Sequence, residues 1–87
     1  MAFEFDAAKS AANKAKHGID FEEAQALWQD LSLIEVPVPT TDEPRWLVVA
    51  RIDTVHWSAI ITYRGDNVRV ISVRRARKGE VERYEGK

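Results

Sequence analysis

Eighty-seven residues, 45% of them hydrophobic and three of them tryptophan, provide for one small core and one domain over 1–87. There is no cysteine, which excludes a disulfide framework and a thiolate metal site and fits a reducing, cytoplasmic setting. The net charge of −1 hides an asymmetry, since residues 1–44 hold three lysines against nine acids and residues 45–87 hold ten Lys or Arg against five.

A basic half of this kind calls for a polyanion, an acidic partner, or the chain's own acidic half. No apolar run approaches the ~18 residues of a membrane span. The N-terminus, MAFEFD, lacks the basic and apolar regions of a signal peptide.

Phe3 and Phe5 alternate with Ala2 and Glu4, which predicts a short strand over 2–5. Asp6 fits an N-cap for an Ala- and Lys-rich helix over 7–16, closed by a basic last turn and Gly18. Asp20 and Glu23 form the Asp variant of a capping box and open a second helix, which fades near Asp30. Its apolar stripe is Phe21, Ala24, Leu27 and Trp28.

From residue 32 the period changes to two. Strands are predicted over 33–37, 45–53, 56–64 and 67–74. Pro37, Pro39 and Pro44 make the first of these an edge strand. Asp53-Thr54 and Arg64-Gly65-Asp66-Asn67 supply hairpin turns. Trp46, Val48, Ala50 and Ile52 face one side of their strand, and Arg45, Leu47, Val49 and Arg51 the other. The strand 67–74 is apolar on both faces, which predicts a central, doubly covered position. A last helix over 77–85 turns Val81 and Tyr84 inward. The order β-α-α-β-β-β-β-α describes an α+β fold with an antiparallel sheet, two N-terminal helices and a C-terminal helix.

The main cationic group is Arg74, Arg75, Arg77 and Lys78 at a strand end, with Arg64 at the neighbouring hairpin. Guanidinium groups grip phosphate bidentately and stabilise charge developing on phosphorus. The same arginines also fit a solvated rim paired with Glu80, Glu82 and the acidic half. His17 reads either as a histidine set against the helix dipole or as a general acid or base. Tyr84 reads as a cap on the last helix, a stacking platform or a proton donor. His56 reads as a surface or interface residue, and Leu33 and Trp57 are candidates for partner surface. The two histidines lack metal-ligand spacing, so neither a metal nor a cofactor is expected.

The segments FEFDAAKSAANKAKHGIDFEEA and YRGDNVRVISVRRARKGEVERYE resemble the BrnT family, the toxin halves of bacterial type II toxin–antitoxin modules. The first family pattern falls on Phe3, Phe5, Asp6, Lys9, Asn13, Lys16, His17, Gly18, Ile19, Phe21, Glu23 and Ala24. The second falls on Ile71, Ser72, Val73, Arg74, Arg75, Ala76, Glu80 and Tyr84. Phe5, Val73 and Ala50 stand where the family more often has tryptophan, alanine and glycine.

The resemblance implies a RelE-like fold and a ribonuclease that arrests translation. It also implies a BrnA-like antitoxin with a ribbon-helix-helix domain, through which alone the complex would meet operator DNA. Under this reading RNA is cut without metal, by attack of the ribose 2′-hydroxyl on the adjacent phosphorus. Lys16 or His17 would act as base or acid, Arg64, Arg74 and Arg75 would hold the phosphate, and Glu80 or Tyr84 would orient groups or donate a proton. Arg77 and Lys78 would extend the RNA-binding surface. The alternatives are a non-catalytic RNA- or protein-binding module acting by occupancy, and an inactive copy kept for operon control.

Overall fold

The structure is a computed structural model and describes residues 1–86. Its elements are β1 (Phe3–Glu4), α1 (Ala7–His17), a 3₁₀ helix (Glu23–Gln29), β2 (Ile34–Val38), β3 (Arg45–Ile52), β4 (Val55–Arg64), β5 (Asn67–Arg75) and α2 (Lys78–Glu85). The five strands form one sheet in the order β1-β5-β4-β3-β2. No helix among the described residues is long and apolar enough to cross a membrane.

α1 begins and ends as its sequence requires. The Asp6 carboxylate accepts from the Lys9 N–H at 3.0 Å, and Gly18 closes the helix at φ +82°, a conformation that costs a residue with a Cβ. The second predicted helix is corrected: it is a 3₁₀ helix. Phe21, Ala24 and Leu27 recur every third residue, which is the period of a 3₁₀ turn, and all three are buried. The Asp20–Glu23 capping box forms, with reciprocal bonds of 2.7 and 2.9 Å.

The sheet is also corrected, from antiparallel to mixed. β2, β3, β4 and β5 form an antiparallel meander, but β1 pairs with β5 in parallel. Phe3 lies beside Val68 and Asn13 bonds to Val73, so the chain advances along β5 in β5's own direction. β5 is consequently second from the edge, and β4 is the central strand.

The apolar pattern of β5 has a different cause from the one its sequence implies. Ile60 pairs with Ser72 and Ile61 with Val70, so Ile71 is passed over in a β-bulge. The bulge shifts the alternation by one residue. Val68, Val70 and Val73 all reach a single core, together with Val48, Ala50, Ala59, Ile61 and the buried residues of the 3₁₀ helix. Phe3 meets Trp28 edge-on at 5.0 Å, and Phe5 meets Phe21 at 5.9 Å. Trp46 and Ile52 pack on this core, as their alternation predicts. Leu33 and Trp57, half-buried, pack against its flanks. The opposite sheet face carries α2 over Val49 and Ser58, which are 1% and 2% exposed.

Candidate functional site

β1 is two residues long and leaves the rest of the β5 edge without a strand neighbour. Asn13 of α1 fills part of that gap. Its Nδ2 donates to Val73 O at 2.9 Å and to Ile19 O at 2.8 Å, and its Oδ1 accepts from the Val73 N–H at 3.2 Å. A buried amide thus stands in for a sixth strand, as the unmet polar backbone of an edge requires. Ser10, one helical turn earlier, accepts from the Phe21 N–H at 2.9 Å and fixes α1 to the chain that follows it. Asn13 is a family-motif position whose task the sequence does not show, and Ser10 does not stand out in it at all. A polar residue of poor helix propensity in an Ala-rich helix is the signal that would have found Asn13.

With α1 pinned in this way, a cleft opens between it and β5. Lys9, Ala12, Asn13, Lys16, His17, Phe21, Ile71 and Ser72 line it, and its volume is about 260 Å³. Lys16 and His17 therefore lie together, as the sequence reading expects, with Lys9 and Ser72 as additions to that reading. Lys9, Asn13 and Lys16 follow one another at helical spacing along the face of α1 that borders β5.

The remaining candidates do not converge on this cleft. Arg64 pairs with Asn67 at one end of the β4–β5 hairpin, whereas Trp57 and Ser58 pair with Arg75 and Arg74 at the other. Roughly 20 Å of strand lies between these ends at about 3.3 Å per residue. Arg74 is engaged with Glu80: Nη1 and Nη2 donate to the two carboxylate oxygens at 2.8 Å each. Glu80 Oε1 also accepts from the Ser58 hydroxyl and the Arg77 N–H, both at 2.8 Å. The guanidinium, together with these donors, holds the Glu80 carboxyl down at about 2, from a usual 4.5. Arg75 lies over the Trp57 ring at 5.6 Å. Arg77 and Lys78 are exposed at the start of α2.

Tyr84 is 6% exposed and donates to Asp30 Oδ2 at 2.6 Å. That carboxylate, and then burial, push the phenol up from its usual range. The same Asp30 accepts from the backbone N–H groups of Ser32 and Arg51, both at 2.8 Å. His56, half-buried, meets Tyr84 edge-on at 5.2 Å and Glu85 at 2.6 Å. These contacts fasten the C-terminal end of α2, as Arg74–Glu80 fastens its N-terminal end. No group of three or more His, Asp or Glu suited to a metal occurs among the described residues.

Two separated sequence segments, the helix carrying Lys9, Asn13, Lys16 and His17 and the strand carrying Ile71, Ser72 and Val73, thus meet at one place. A family model described as "Ribonuclease toxin, BrnT, of type II toxin-antitoxin system" matches residues 5–80. The chain belongs to the BrnT family. No curated protein matches it. As a BrnT toxin it has an antitoxin partner and RNA as substrate.

Most residues of the BrnT-like motifs have an evident task in the fold. Asp6 caps, Gly18 turns, Ile19, Phe21, Ala24 and Val73 fill the core, and Asn13 pins the edge. Glu80 and Tyr84 hold α2 in place. Lys9, Lys16, His17 and Ser72 have no such task, and they share the cleft.

Proposed function

We propose that this chain is a RelE-like, metal-independent endoribonuclease of the cytoplasm. It arrests translation by cutting RNA at the α1–β5 cleft. A BrnA-like antitoxin with a ribbon-helix-helix domain neutralises it, and operator DNA is met only through that antitoxin. The observation that carries the proposal is the gathering of Lys9, Lys16, His17 and Ser72 in one cleft beside the unpaired β5 edge.

The cleft has the parts the reaction needs. One of His17 and Lys16 takes the proton of a ribose 2′-hydroxyl as its oxygen attacks phosphorus. The bond from phosphorus to the 5′-oxygen breaks, and that oxygen receives a proton from the other group. A 2′,3′-cyclic phosphate and a 5′-hydroxyl remain. Lys9, the other cation of the cleft, would stabilise the negative charge that grows on the phosphoryl oxygens. Arg75 at the end of β5, with Arg77 and Lys78 just beyond it, adds exposed positive charge that draws in the RNA backbone. Arg74, Glu80 and Tyr84 hold α2 in place and do not line the cleft.

The test is naked RNA incubated in EDTA with the purified, partner-free toxin, beside His17→Ala and Lys16→Ala. Cleavage by wild type with loss in both variants is the expected result. Equal cleavage by all three removes the cleft from the reaction. RNA binding without cleavage by any of them, on ribosomes as well as on naked RNA, favours arrest by occupancy.

A further inference from the structure

The sheet face that carries α2 is only partly covered. Val49 and Ser58 are buried beneath the helix, but the next row, Val36 beside Leu47 beside Ile60, stays half-buried. One row farther on, Val38 pairs with Arg45, and Thr62 pairs with Arg69. An aliphatic strip three strands wide is therefore bordered by two arginines. Strand spacing makes it roughly 10 Å across. The acids beside those arginines are weak partners: Glu43 is 3.8 Å from Arg45 and Glu4 is 4.0 Å from Arg69, at partly exposed positions.

The chemistry narrows the occupant. The strip is valine, leucine and isoleucine, with no aromatic plane on which a base could stack, so it suits protein better than RNA. A second copy of this chain would bring arginine against arginine. Addition of a strand at the free β2 edge meets Pro37, which lacks the N–H that a sixth strand would need. A helix laid across the face meets none of these obstacles. About two turns of it span the strip, with aliphatic residues inward and carboxylates over Arg45 and Arg69.

We propose that the half-covered sheet face of Val36, Val38, Leu47 and Ile60 is the docking surface for an amphipathic, acid-flanked helix of the antitoxin. The proposal rests on membership in a toxin–antitoxin module, but not on RNA cleavage.

The experiment titrates the antitoxin encoded with this toxin into wild type, Leu47→Thr/Ile60→Thr and Arg45→Gln/Arg69→Gln. Threonine keeps strand propensity while removing aliphatic surface. Affinity falls by about tenfold or more in each double variant, as loss of a central apolar or charged contact commonly does. The arginine variant also loses most of the salt dependence of binding. Methyl NMR on the unaltered toxin gives a second readout that needs no variant. Antitoxin shifts the methyl signals of Val36, Leu47 and Ile60.

Affinity within about twofold of wild type in both folded variants overturns the proposal, being smaller than a hot-spot loss. So do unmoved methyl signals, or methyl signals that respond to an RNA oligonucleotide and not to antitoxin. A toxin that cleaves no RNA yet binds antitoxin through these methyls keeps the docking surface and loses the ribonuclease reading. A cleaving toxin that binds antitoxin elsewhere gives the reverse.

Discussion

The guanidinium of Arg74 and the carboxylate of Glu80 face each other through two hydrogen bonds of 2.8 Å, and the carboxylate accepts two more from Ser58 and Arg77. A strand end and a helix start are tied together at one anion. Glu80→Gln removes that anion and leaves a part-buried guanidinium without its counter-charge. The variant loses about 2–3 kcal/mol of stability in urea unfolding. Arg74→Ala made on top of Glu80→Gln costs less than Arg74→Ala in wild type. Additive losses would show that the pair is not coupled.

The same carboxyl sets an acid limit. Its value lies at about 2 in the fold against a usual 4.5. A lowered carboxylate contributes its full stability above the unfolded value and loses it as pH falls through the folded one. The melting temperature of wild type therefore drops as pH falls from 4.5 towards 2. Glu80 accounts for on the order of 2 kcal/mol of that loss. Glu80→Gln shows a shallower decline over that window. Parallel pH profiles for the two proteins would assign the acid sensitivity to other carboxylates.

Asn13 makes three hydrogen bonds and is 8% exposed. Asn13→Ala leaves the N–H and C=O of Val73 and the C=O of Ile19 without the amide. Stability falls by about 2–3 kcal/mol through the unmet backbone groups. Amide exchange at Val73 speeds up more than at Val48, in an inner strand, or at Val68, whose N–H donates to Ala2 O rather than to Asn13. Uniform acceleration across the three would mean that Asn13 supports the whole fold rather than the β5 edge.

His17→Ala and Lys16→Ala separate chemistry from stability. Lys16 is exposed and His17 half-buried in the last turn of α1, and neither fills the core, so each change shifts stability by about 1 kcal/mol or less. RNA cleavage falls by about 10²-fold or more for the group that transfers a proton. Arg64→Ala, at the far end of the hairpin, lowers cleavage of naked RNA by about threefold or less, since it acts only through a screened long-range charge. A loss at Arg64 equal to that at His17 would move the reaction away from the cleft.

Much of the architecture was legible because local chemistry and tertiary demand agree. Asp6 and Gly18 bound α1, and the strand alternation at Trp46, Val48, Ala50 and Ile52 points into the core. The second helix misled because Phe21, Ala24, Leu27 and Trp28 satisfy a period of 3.6 nearly as well as a period of three, and burial selected three. The direction of β1 is invisible in a two-residue strand, being set by where α1 must land. Lys16 and His17 were found together because they are neighbours in one helix. Arg64 and Arg74 both adjoin a strand terminus, but the turn at 64–67 and the strand over 67–74 already put them at opposite ends of one hairpin, and the structure confirms that separation. The Asp30–Tyr84 contact joins residues 54 positions apart, which no local pattern can foretell.

The bulge at Ile71 is a parity switch for everything that follows it. In an unbroken strand, Arg74 would share a face with Val68 and Val70 and point among the core valines, while Val73 would stand opposite the Glu80 carboxylate. One surplus residue reverses both assignments. Removing Ile71 alone would erase the bulge and leave Ser72, Val73 and Arg74 opposite Ile60, Ala59 and Ser58, so the guanidinium would stay outward and the last helix would keep its anchor.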